Sequence, residues 1–159
     1  YHNLEQKTAD SFQDGWYKTG DIFEQTKDNE YKYIGRNDDV FKVKGQWVTA
    51  LDLENALLSK FPNAEGFLLL PKKDNKGLDY PCLVVGGERM LNNKQDVAHY
   101  IFDHIQDFFP RHMVPEEIYF VQELPKNDNG KVLRRTLIAQ LNEGQSFSGS
   151  IKKRASELV

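Results

Sequence analysis

The pattern of apolar and polar positions changes character along the chain, and the changes mark its organisation. Residues 1–14 are polar and aperiodic. From Gly15 the run GWYKTGDIFEQ, a polar turn at Lys27-Asp28-Asn29 and the run Tyr31-Lys32-Tyr33-Ile34 predict two short strands joined by a tight connection, with little core of their own. The stretch Tyr33–Val48, YIGRNDDVFKVKGQWV, then gathers an aromatic strand, a Gly-Arg turn, two aspartates, a short alternating strand and a second glycine into one run. It reads as a seam between the end of one domain and the whole of another.

Beyond the seam the periodicities are longer. Thr49 with Asp52 three residues on is a helix start signal, and Leu53, Leu57 and Phe61 follow at helical spacing. That helix should end at Lys60, because the residue before Pro62 is pushed out of the α region. Gly66–Leu70 and Tyr80–Gly86 are apolar runs on either side of the polar loop Lys72–Gly77, and they predict paired, largely buried strands. Val97, Ile101, Ile105 and Phe108, with Phe102 and Phe109 beside them, draw the clearest helical stripe, from about Asn93 to just before Pro110. It is a core-packing face, with His99 and His104 off or beside it as solvated residues. A third strand, Ile118–Val121, leads to a loop with an Asn129-Gly130 turn, and Val132, Leu133, Leu137 and Leu141 predict a last helix. Residues 142–159, rich in Gly, Ser and Lys, are expected as a flexible tail. The domain over residues 38–141 is therefore expected to be α+β, a three-stranded sheet flanked by three helices plus a short hairpin.

Composition narrows function by exclusion. With 21 Lys+Arg against 24 Asp+Glu and a pI near 5.8, no charge excess draws the chain to nucleic acid or anionic lipid. The single cysteine, Cys82, lies inside the apolar run Pro81–Val85 and reads as a buried, inert thiol in a reducing compartment. No apolar run approaches the roughly 18 residues a membrane span needs, and the N-terminus lacks a signal-peptide pattern, so a cytoplasmic location is the expectation. His2, His99, His104 and His112 show no ligand spacing, and no metal is expected. There is no Walker-type loop, nucleophile elbow or internal repeat, so any nucleotide is handled without a phosphate-binding loop. The chain begins at Tyr1 without a methionine, which reads as a piece of something longer.

Three local runs carry candidate chemistry: Tyr17-Lys18-Thr19-Gly20-Asp21, Tyr33–Gly45, and Leu124-Pro125-Lys126-Asn127-Asp128-Asn129-Gly130-Lys131-Val132-Leu133-Arg134. Each alone has a bland reading. Thr-Gly-Asp is a common turn, Gly-Arg-Asn-Asp-Asp a polar loop, and Asn-Gly-Lys a type I′ hairpin with a solvated lysine. In their order and spacing they resemble the last three motifs of the adenylate-forming superfamily of acyl- and aryl-CoA synthetases, peptide-synthetase adenylation domains and firefly luciferase. The resemblance runs from Gly15 to about Leu141, and the segment Val48–Leu58 is similar to the family's following helix, including its glutamate, here Glu54.

The resemblance implies roles. Asp21 would accept hydrogen bonds from the ribose hydroxyls of ATP or AMP, a task suited to a carboxylate's two acceptor oxygens. Arg36 would contact the nucleotide from the seam, its planar guanidinium holding oxygens at fixed angles. Asp38 matches the hinge around which the C-terminal domain swings between adenylation and thioester formation. Lys131 matches the catalytic lysine, whose charge serves the meeting of a carboxylate with the α-phosphate of ATP. In the second orientation Val40–Gly45 would face the site, Gly45 letting backbone approach the pantetheine arm of CoA or a carrier protein. Lys42 and Lys44 alternate with Phe41 and Val43, so both are expected on one side of a strand, to steer CoA phosphates or to form a solvated edge.

Residues 1–37 would then be the last strands of a larger N-terminal domain that holds the acyl pocket and the phosphate loop, with Mg2+ expected alongside ATP but bound outside this stretch. The isolated chain is expected to be inactive. Gly45-Gln46-Trp47-Val48 resembles a form seen in some aryl- and medium-chain acyl-CoA synthetases, which favours CoA over a carrier protein as the acceptor, with a small-molecule carboxylate as the acid. The alternatives are an adenylation domain loading a carrier protein and a non-catalytic α+β interaction module. The joint presence of Asp21, Arg36, Asp38 and Lys131 weighs against the module.

Overall fold

A computed structural model describes residues 5–144 and 147–153, so His2 and the end of the expected tail lie outside the described residues. The chain divides into two compact units, Tyr1–Val40 and Phe41–Val159.

The first unit contains α1 (Glu5–Ser11), β1 (Phe12–Gln13), β2 (Trp16–Tyr17), β3 (Asp21–Gln25) and β4 (Tyr31–Arg36). A seven-residue helix thus forms where the polar start predicted no element. Asp14 and Gly15, at φ +51° and +84°, make the two-residue turn between β1 and β2, the geometry whose twist suits antiparallel strands. The two expected strands are β3 and β4, paired antiparallel with an irregularity between Ile22 and Phe23. No described residue of this unit is buried. Its aromatics instead pair edge to face, Phe12 with Tyr17 and Phe23 with Tyr33, each at 5.5 Å between ring centres.

In the second unit the hairpin of β5 (Val40–Val43) and β6 (Gln46–Thr49) leads into α2 (Ala50–Lys60). Next come β7 (Gly66–Lys73), β8 (Asp79–Gly86), α3 (Glu88–Asn92), α4 (Lys94–Phe108), a 3-10 turn at Arg111–Met113, β9 (Glu117–Val121), α5 (Arg134–Glu143) and β10 (Gly149–Lys152). The main sheet has four strands in the order β10-β9-β8-β7, with β8 and β9 parallel and the other pairs antiparallel. This corrects the expected three. The fourth strand comes from the segment read as tail: Gly149–Lys152 pairs with Glu117–Phe120 through its backbone, although Ile151 is its one apolar side chain.

Both faces of the sheet are covered. Phe67, Leu69, Leu83, Val85, Ile118 and Phe120 pack with Leu53 and Leu57 of α2 and Val97, Ile101 and Ile105 of α4. Leu68, Leu70, Cys82 and Val84 face the other way, against Leu137 and Leu141 of α5 and Leu124. Two-sided burial is why β7 and β8 read as continuous apolar runs without alternation. Among the described residues no helix is long and apolar enough to cross a membrane.

Candidate functional site

Asp21 opens β3 and Arg36 closes β4, and the register sets them opposite one another. Arg36 Nη1 donates to Asp21 Oδ1 at 3.3 Å, with the arginine side chain 59 % exposed. A pair this long and open is worth under about 1 kcal/mol, so the guanidinium can exchange it for ligand oxygens at little cost. The Thr19 hydroxyl accepts the Asp21 N–H at 3.2 Å, and the carbonyl of Gly20, at φ +79°, accepts the Asn37 N–H at 2.7 Å. These bonds join the Thr-Gly-Asp turn to the Gly-Arg-Asn-Asp turn. Gly35 is required by space, since a Cβ there would lie 2.6 Å from Val40 Cγ1. Asp38 is exposed in the turn that follows, where the Asp39 N–H bonds the Arg36 carbonyl at 2.9 Å, and it precedes the unit boundary after Val40.

In the second unit Lys44 and Gly45, at φ +50° and +80°, form the two-residue turn between β5 and β6. The expectation that Lys42 and Lys44 share one side of a strand is corrected: the strand ends at Val43 and Lys44 is a turn residue. Gly45 supplies the left-handed conformation, and the space beside it is open to 4 Å. Lys42 lies over the Trp47 ring, its Nζ 4.5 Å from the centre, and the Trp47 carbonyl meets His112 Nε2 at 3.0 Å, which ties the hairpin to the 3-10 turn. Beside the hairpin is a basin of about 850 Å³ whose lining includes Lys42, Lys44, Gly45, Lys72, Lys152 and Lys153.

Lys131 stands on a loop of different construction. Lys126 and Val132 form an isolated antiparallel bridge, and between them the Asn127 side chain accepts the N–H groups of Asn129 at 3.0 Å and Lys131 at 2.9 Å. Gly130 has φ +77° while Asp128 and Asn129 keep negative φ, so the turn is not of type I′, which needs positive φ at both central residues. Asn127 as an internal cap takes the place of that geometry. The Lys131 side chain is exposed, and its ammonium makes neither hydrogen bond nor ion pair among the described residues.

Sequence reasoning passed over the groups that hold this loop. Glu65 accepts the Leu124 N–H at 2.8 Å and pairs with the Lys126 ammonium. Glu54, 7 % exposed, accepts the Leu69 N–H at 2.8 Å through Oε1 and takes both Arg134 Nη groups. Glu54 was visible only as a motif position. Glu65 carried no signal.

A further charged cluster lies at the edge of β7, β8 and β9. Glu117 Oε2 accepts from Lys72 Nζ at 2.7 Å and the Tyr119 hydroxyl at 2.5 Å, and Oε1 accepts from Lys152 Nζ at 2.6 Å. Burial alone would raise the Glu117 carboxyl, but bonds from Lys152, Lys72 and Tyr119 outweigh it and hold the group at about 2. Burial works against the Lys72 ammonium as well, yet its bonds to Glu117, Tyr119 and Tyr80 keep it above its ordinary range. Burial pushes the Cys82 thiol well up, leaving an inert sulfur.

Residues 68–131 match the family described as AMP-binding enzyme C-terminal domain. The chain is 33 % identical over 138 residues to an anthranilate–CoA ligase of Pseudomonas aeruginosa strain PAO1, covering 86 % of the chain and 27 % of that protein. An L-proline–[L-prolyl-carrier protein] ligase of Pseudomonas fluorescens strain Pf-5 is 33 % identical over 129 residues, 81 % of the chain and 25 % of its own length. A crystal structure of an anthranilate CoA ligase in complex with anthranoyl-AMP matches 91 % of the chain and 28 % of its own, with a TM-score of 0.60 and 27 % identity. The chain spans about a quarter of the length of the curated relatives it matches.

Proposed function

We propose that the chain, whose residues 68–131 match the AMP-binding enzyme C-terminal domain, is the C-terminal portion of an ATP-dependent acid–thiol ligase. In the first step a carboxylate oxygen attacks the α-phosphate of ATP, giving an acyl-adenylate and pyrophosphate. In the second a thiol attacks the acyl carbon and AMP leaves. Residues 1–37 would complete a larger N-terminal domain that holds the acid and Mg2+-bound ATP. Residues 38–141 would be the mobile lid, with Asp38 as its pivot.

The observation that carries this reading is Lys131: an exposed ammonium, unpaired among the described residues, at the tip of a loop tied down at both ends. Such a group brings positive charge to where carboxylate and phosphate oxygens share negative charge, without reorganising as they react. Asp21 and Arg36 form a weak surface pair that a ribose diol and phosphate oxygens can take over. The open space at Gly45 suits a thin pantetheine arm, and Lys42 and Lys44 flank it with charge for CoA phosphates. CoA is the first acceptor and an aromatic acid the first substrate class, following the two anthranilate ligases. A carrier protein is the second acceptor, favoured by the prolyl-carrier ligase. We place the enzyme in the cytoplasm.

The test joins this chain to the N-terminal part of the Pseudomonas aeruginosa anthranilate ligase. The chain alone should give no carboxylate-dependent ATP–pyrophosphate exchange, and the fused enzyme should give anthranilate-dependent exchange. Exchange by the chain alone, or a folded fused enzyme inactive across a panel of carboxylates, contradicts the proposal.

A further inference from the structure

We infer that Glu54 and Glu65 are positioning residues for Lys131, two carboxylate posts between which the catalytic loop is strung. The inference rests on the ligase reading. The loop needs holding, because every residue from Lys126 to Lys131 is exposed. What fixes it lies at the two legs. The incoming leg enters at Leu124, whose buried side chain sits over Gly66 and Gly86, where a Cβ would come within 3.0 Å and 2.9 Å of Leu124 Cδ1. Glu65 adds direction, one oxygen on the Leu124 N–H and the other on the Lys126 ammonium.

The outgoing leg ends at Arg134, the first residue of α5. Its guanidinium meets Glu54 through two parallel bonds, a fork that fixes angle as well as distance. Glu54 Oε1 also holds the Leu69 N–H, so the same carboxylate registers the loop against β7. Between the legs the Leu133 N–H bonds the Pro125 carbonyl at 2.8 Å, and Asn127 caps the tip. Each element from sheet to Lys131 is thus joined to the next by a directed bond. A displacement of about 1 Å at a reacting group costs on the order of 100-fold in rate, so these posts set the adenylation rate although neither reaches the reactants.

The Gly45 turn is held by a different set, His112 on the Trp47 carbonyl with buried Val43 and Val48, so the posts should matter to one half-reaction alone. The experiment uses the fused enzyme with Glu65→Gln and Arg134→Lys, the latter keeping the charge next to Glu54 while losing the fork. Each should lower kcat for anthranilate adenylation about 10- to 100-fold with KM for ATP within about threefold. Thioester formation from supplied anthranoyl-AMP and CoA should stay within about threefold, with the melting temperature recorded beside it. Arg134→Lys with Glu54→Gln should lose clearly less than the product of the two single losses, since both act through one fork. Equal loss in the two half-reactions, or no loss in a folded variant, overturns the inference. If Lys131→Ala itself fails to separate the half-reactions, the ligase reading fails and this one with it; if Lys131→Ala separates them and the post variants do not, only the posts are refuted.

Discussion

Acid should destabilise the second unit through Glu117, and Glu117→Gln should remove that part of the acid sensitivity. The carboxyl sits at about 2 in the folded chain against an ordinary value of 4.5, held down by Lys152, Lys72 and the Tyr119 hydroxyl against the pull of burial. A folded value below the unfolded one contributes stability that is complete above 4.5 and disappears as pH falls towards 2. At pH 3 the unfolded chain has nearly finished binding the proton and the folded chain has barely begun, which by linkage costs about 2 kcal/mol relative to pH 6. The Lys152 side chain is 71 % exposed, so its share is screened and the expected effect narrows to about 1–2 kcal/mol. Urea unfolding followed by far-ultraviolet circular dichroism at the two pH values measures it. The drop from pH 6 to pH 3 should be smaller in Glu117→Gln by that amount. At pH 6 the same variant should cost about 2–3 kcal/mol, because it leaves the half-buried Lys72 ammonium short of its counter-charge, whereas Lys152→Ala should cost under about 1 kcal/mol. Equal acid sensitivity with and without Glu117, or a Lys152→Ala cost matching that of Glu117→Gln, would refute the reasoning.

Two other outcomes follow from packing. Gly86→Ala drives a methyl into buried Leu124 and should cost about 2–3 kcal/mol in urea unfolding, while Gly77→Ala, in open space at φ +77°, should show only the backbone penalty of about 1 kcal/mol. Matching costs would contradict the assigned cause. In hydrogen exchange the amides of β7, β8 and β9 should be the slowest and those of β1 to β4 among the fastest, since no described residue of the first unit is buried. Comparable protection in β3 and β8 would contradict this.

The main helices and sheet strands were legible because burial leaves a local trace: α2, α4 and α5 as stripes, β7 and β8 as unbroken runs read by their two covered faces. β10 left none, because an edge strand is held by the backbone of its neighbour and Gly149–Lys152 offers one apolar side chain. Lys44 was misplaced because alternation was carried one residue too far, into a turn whose glycine partner was already visible at Gly45. For the candidate site, the resemblance supplied Asp21, Arg36, Asp38 and Lys131, and the structure adds what surrounds them. Glu54 meets Arg134 across 80 residues and Glu65 meets Leu124 across 59. No periodicity relates residues so far apart. Those bonds exist only once the sheet has brought its flanking turns and helices together.

The measurement that bears most directly on the central claim is Lys131→Ala in the fused enzyme, with the two half-reactions assayed separately. Loss of one preorganised charge at a developing negative centre typically costs on the order of 10²–10³ in rate. Anthranilate-dependent pyrophosphate exchange should therefore fall by at least about 100-fold, while thioester formation from supplied anthranoyl-AMP and CoA stays within a few-fold. Equal loss in both steps, or no loss in either, would contradict the role given to Lys131.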